Sequence, residues 1–116
     1  MNISQLPNAL VLRLKKYGYT TEDISINIST YENQGNDYLI LQLGAELYNK
    51  LSIQQKELLI INYIQYQLFA MVEMESLVRD KKEFIDNIID KLIQTNIYEK
   101  EQRNERNKQT RGIKVF

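Results

Sequence analysis

No cysteine and no histidine occur among the 116 residues. Their absence removes thiol nucleophiles, thiolate and imidazole metal ligands and the usual proton shuttle near neutral pH. What is left for chemistry is carboxylates, lysine, tyrosine and hydroxyls, and these gather in no pattern that points to a reaction. The chain is therefore read as no enzyme, with no catalytic, cofactor-binding or metal site expected. Lack of cysteine also suits a reducing compartment. Positive charge is missing from more than a quarter of the chain: between Tyr17 and Asn49 there is no Lys or Arg, against five acidic residues. A helix-turn-helix opening at Leu14–Ile24 would place its recognition helix in that stretch, so base reading there is excluded. Met1-Asn2-Ile3-Ser4-Gln5 lacks the charged start and apolar run of a secretory leader. The longest apolar stretch, Leu58–Val72, is interrupted by Asn62, Gln65 and Gln67 and falls short of the ~20 residues of a membrane span. No membrane partner is expected.

The length suits one domain with a single core. Its formal charge is zero overall, but unevenly spread. Residues 100–116 hold six cations against Glu101 and Glu105, a net +4, which leaves −4 on residues 1–99. The division is thus an acidic helical body, 1–99, and a basic C-terminal arm, 100–116. The arm ends in Gly112-Ile113-Lys114-Val115-Phe116, where a glycine precedes apolar residues with little of their own to bury against. Three readings stand beside each other. The arm is a solvated tail, a phosphate-binding arm using Arg103, Arg106, Lys108 and Arg111, or a docking arm that lays Ile113, Val115 and Phe116 into a groove of another subunit. The two interleaved glutamates and the absence of a well-placed stacking residue count against the nucleic-acid reading.

Periodicity predicts a mainly α fold, a small bundle of about four helices. The first covers Gln5–Tyr17 and stops at Gly18, a residue suited to a left-handed helix end. Ile24, Ile26 and Ile28 alternate with Ser and Asn, as a strand would, although Ile24, Ile28 and Tyr31 also share a helical face. The β-branched content favours a short β-like segment near 24–31. Glu32-Asn33-Gln34-Gly35-Asn36-Asp37 reads as a turn. Leu39, Leu43, Leu47 and Leu51 then predict a helix from Asp37 to Leu51. Ser52 with Gln55 forms a capping-box signature that opens a long helix reaching Val78 or Arg79. After a break near Asp80-Lys81-Lys82, Ile85, Ile88, Ile89, Leu92 and Ile93 mark the buried side of a last helix, which can continue towards Thr110.

On the helix opened by Ser52, rotation by 100° per residue puts Asn62, Gln65 and Glu73 on one line with Tyr66 and Phe69. Either this is a solvent stripe on a central helix, or the helix is enclosed by its own domain and the amides and aromatics face a neighbouring subunit. The second reading makes Asn62, Gln65, Tyr66, Phe69 and Glu73 the candidate subunit interface. Asp86 and Asp90, one turn apart, are read as part of a charged solvated face because Lys82 and Lys91 lie beside them.

The order of elements resembles the small helical head-to-tail connector, or adaptor, proteins of tailed bacteriophages. The likeness is carried by a short first helix ending at Lys15-Lys16-Tyr17-Gly18, acidic Thr21-Glu22-Asp23, a helix at Asp37–Leu51, the long apolar helix from Ser52, an amphipathic helix and a C-terminal arm. The strand-like Ile24–Ile28 departs from that pattern and leaves the second helix of the fold unaccounted for. The resemblance implies a homo-oligomeric ring in the virion neck, made in the host cytoplasm. Its arms would reach the portal protein, its neighbours would be other neck or tail proteins, and DNA would pass through it as cargo. Negative walls would keep that DNA from sticking. The other reading of the chain is a basic-tailed helical DNA-binding or regulatory accessory protein of a mobile element.

Overall fold

The computed structural model describes residues 1–115, with side chains described through residue 105. Among these residues there is no strand. A 3-10 turn at Ile3–Gln5 precedes five helices: α1 (Asn8–Lys16), α2 (Thr21–Leu43), α3 (Ala45–Lys50), α4 (Ile53–Met71) and α5 (Glu75–Val115). The fold is a mainly α small bundle, as expected.

Local chemistry sets most boundaries. Tyr17 caps α1 and Gly18 follows at φ 97°, while the Tyr19 N–H reaches back to the Leu14 carbonyl at 3.1 Å. That six-to-one bond with a left-handed glycine is the Schellman arrangement. Thr20 opens α2 with a full capping box: its hydroxyl accepts from Asp23 N–H at 3.1 Å, and its own N–H donates to Asp23 Oδ2 at 2.8 Å. Those bonds hold the Asp23 carboxyl below its ordinary pKa. Ser52 and Gln55 repeat the device at α4, at 3.1 and 2.9 Å, as the sequence predicts.

The expectation of a β-like segment at 24–31 is overturned, because those residues lie inside α2. Ile24 and Ile28 are buried in the core while Ile26 is 58% exposed. Alternation would have placed all three on one face; the observed split is the helical one. The expected turn at Glu32–Asp37 is also helix. Gly35 lies at the crossing with α4, where an added Cβ would sit 2.9 Å from the Tyr63 ring and 3.1 Å from Ile60 Cδ1. It makes room for the Tyr63 ring and Ile60 of α4 rather than turning the chain. Asn36 donates to the Glu32 carbonyl at 3.1 Å and accepts from the Tyr48 hydroxyl at 2.9 Å, so its amide ties α2 to α3.

Asp37 therefore starts nothing; the break falls at Gly44, at φ 81°, and splits the expected 37–51 helix between α2 and α3. Likewise α4 ends at Met71, well before Arg79. Glu73 takes φ 58°, the Met74 N–H bonds to the Phe69 carbonyl at 3.1 Å, and the Glu73 N–H bonds to Ala70 at 3.3 Å. This is a second Schellman turn, with glutamate where glycine is usual. It doubles α5 back along α4, and α5 runs unbroken through the Asp80–Lys82 region.

Helix α4 is the axis of the body, with α2, α5 and α1 packed around it. Its buried residues, Ile60, Asn62, Tyr63, Ile64, Gln65 and Leu68 among them, point in every direction around the helix. Only a helix enclosed by its own chain can be apolar on nearly all sides. Helix α4 flanks about half of α5, and α3 flanks it further, as far as Asn104. At ~1.5 Å per residue, the 19 residues of α4 span roughly 28 Å and the 41 of α5 roughly 60 Å, from one shared turn. The far half of α5 accordingly passes the start of α4, and the molecule measures 74 × 24 × 19 Å.

Candidate interaction surface

The stripe that rotation places together on α4 is together in the structure, but it faces inward. Asn62, Gln65 and Phe69 are 7%, 8% and 5% exposed. They are enclosed by this chain's own helices and offer no free face to another subunit. Asn62 shows why a polar residue is tolerated there: its Nδ2 donates to the Leu58 carbonyl at 2.7 Å, and its Oδ1 accepts from Lys81 Nζ at 2.9 Å. A buried amide with both ends satisfied avoids the penalty of an unmade bond. Glu73, expected on the same stripe, lies outside α4, exposed, in the turn.

Tyr66 is half-buried and belongs to an aromatic cluster the sequence reading did not assemble. Tyr38 of α2 stacks on Tyr63 of α4 with centroids 5.3 Å apart, and Tyr66 lies 6.2 Å from Tyr63. These rings, with Gln67 and Ile85, line a cleft of about 200 Å³ whose mouth carries Lys82 and Asp86, paired at 3.3 Å. Burial raises the Tyr38 pKa. The Asp86 hydrogen bond raises that of Lys82. The volume is below the ~300 Å³ at which small-molecule pockets begin. Among the described residues no cluster of acidic side chains is arranged to hold a metal ion, and no helix is long and apolar enough to cross a membrane.

The arm is the continuation of α5 rather than a separate extended segment, and no break separates residues 99 and 100. Nor does the helix stop at Gly112, since it is assigned through Val115. Lys100 and Arg103 are exposed and stand over α3, where they line a small groove with Glu46 and Asn104. The Glu46 carboxyl is held below its usual range, first by the Lys50 hydrogen bond and then by the charges of Lys100 and Arg103. Of the other candidate docking residues, the side chains of Arg106, Lys108, Arg111, Ile113 and Val115, and the whole of Phe116, lie outside the described residues.

Lys81 is the functional candidate that sequence reasoning passed over. It is half-buried, its pKa is lowered by burial, and Asn62 Oδ1 is its one protein acceptor among the described residues. It sits between Leu77 and Phe84 at helical spacing, a pattern present in the sequence but hidden by the assumption of a break at 80–82. Comparison with family models, with curated proteins and with solved structures finds no match.

Proposed function

We propose that the chain is a structural subunit of a tailed-phage neck, a member of a homo-oligomeric ring that joins the portal of the capsid to the tail and lines the DNA channel. The observation that carries this reading is α5: one helix packs along α4 and then α3 as far as Asn104, and the same helix continues through Val115 with four of the six cations of the 100–116 segment on that continuation. A helix extends a docking segment at a defined direction and distance, which a loose tail would not. Each such arm need bind only weakly, because a ring engages many arms at once and raises their effective concentration. The resemblance in element order supplies the identity of the assembly.

Truncation before Gly112, with co-purification against a candidate portal protein, tests the reading. The expected result is a folded body that no longer joins the portal; unchanged association would overturn it. The exposed Lys100 and Arg103 on one helix favour one other reading, a DNA-binding accessory protein. That alternative requires a duplex shift that weakens steeply with salt, and a neck subunit requires none.

A further inference from the structure

We infer that this chain associates head to tail with a second copy of itself, the outer face of α2 on one copy seating in the seam between α4 and α5 on the next. The inference rests on the ring reading and names the surfaces that would build it.

The seam is apolar and open. Along one flank of α5, Leu77, Lys81, Phe84 and Ile88 recur every three or four residues, and Leu58 and Asn62 of α4 lie across from them. Phe84 is 43% and Leu58 46% exposed, large apolar side chains left to water at the centre of the face. Lys81 stands among them with a single protein acceptor. At its α3 end the seam widens into a groove of about 410 Å³ floored by Leu47, Leu51, Ile88 and Leu92, with Lys50 and Lys91 on the rim against Glu99. Asn96 lines that groove, and its Oδ1 is buried without a hydrogen-bond partner. Lys81 has donors to spare and Lys91 lies on the same flank of α5, so the seam suits a partner that is both acidic and apolar.

The outer face of α2 has that chemistry. Leu41, 80% exposed, and Ile26 share it with Glu22, Asn33 and Asp37, and no Lys or Arg occurs anywhere on α2. From Glu22 to Leu41 it is roughly 28 Å long, and the seam from Leu77 to Thr95 is roughly 27 Å. The two faces cannot meet within one molecule. Helix α2 contacts α4 through Ile60 and Tyr63, whereas the seam lies on the side of the exposed Leu58, with the buried Asn62 beneath it, about 150° around the same helix. A patch on one side that fits a different patch on the other makes a heterologous contact, which closes into a ring or runs on as a filament.

The test uses the full chain and two surface variants, Leu41→Arg on α2 and Phe84→Arg in the seam, with Ile26→Arg and Leu58→Arg as second variants should either lose helical signal. The expected result is a defined oligomer for the unmodified chain and a 13.8 kDa monomer for each variant, with circular dichroism unchanged. Mixing the two variants leaves one intact α2 face and one intact seam, so the mixture should yield a dimer and nothing larger. An oligomer that persists in both variants, or a mixture that forms no dimer, overturns this pairing while the ring reading stands. An unmodified chain that stays monomeric overturns both.

Discussion

Two short segments of this chain behave oppositely to their composition, and the contrast shows where tertiary contact outranks local preference. Residues 32–37 hold Asn33, Gly35, Asn36 and Asp37, all turn formers, yet they sit in mid-helix. Residues 72–74 are Val, Glu and Met, none a turn former, yet the chain reverses there. In the first, Gly35 is needed because α4 passes too close for a Cβ. Its helix-breaking tendency, ~1 kcal/mol against Ala, is outweighed by the packing it permits. In the second, apolar Val72 and Met74 anchor the turn in the core, and two backbone bonds hold Glu73 in a conformation that runs against L-residue sterics.

Substitutions at these two segments separate the effects. The largest expected change is at Gly35. Gly35→Leu drives a branched side chain into Tyr63 and Ile60 and should destabilise by about 3 kcal/mol or unfold the body, measured by urea denaturation. Gly35→Ala should still destabilise, by ~1 kcal/mol, despite its better helix propensity; a stabilised Gly35→Ala protein would mean that the close approach is absent. Next comes Asn62→Leu, which takes the acceptor from Lys81 and should lose about 1–2 kcal/mol. Replacing Lys81 by Met in the same chain should recover part of that loss, since the unpaired donor goes with it. At the turn the sign reverses: Glu73→Gly should stabilise by ~0.5–1 kcal/mol by relieving the left-handed residue. Gly18→Ala, at the matching position after α1, should destabilise by about 1 kcal/mol.

The smallest effect is in pH. Burial lowers the folded-state pKa of Lys81, so the folded chain holds that proton less tightly than the unfolded one. Stability from this group should rise as pH climbs through the lowered folded pKa towards the unfolded value of ~10.4. Comparing the pH dependence of unfolding in the unmodified chain and in Lys81→Met isolates it. No difference above neutral pH would show that the lysine is solvated.

What was legible in the sequence follows the same division. The Ser52–Gln55 box, the Gly18 stop and the Ile85–Ile89 face are local signals with local causes, and the structure repeats them. The Thr20–Asp23 box was equally local and would have opened α2 had Ile24, Ile28 and Tyr31 been weighed as a helical face over alternation. Gly35 and Glu73 could not be read, because the reason for each lies on α4 or in the core. The α4 stripe was half legible. Its enclosure followed from apolarity on most sides, but the partner of Asn62 is Lys81, 19 residues on, across a reversal that propensity does not announce. With α5 read as breaking at 80–82, the stripe had no internal partner and was assigned to a neighbour.

That reassignment moves the proposed subunit contacts outward, from Asn62 and Phe69 to the faces carrying Leu41 and Phe84, and leaves association itself as the central claim. Sedimentation equilibrium of the purified full-length chain, without any partner, tests it most directly. A single species at a fixed multiple of 13.8 kDa is the result expected. A lone 13.8 kDa particle across the whole concentration range would contradict it.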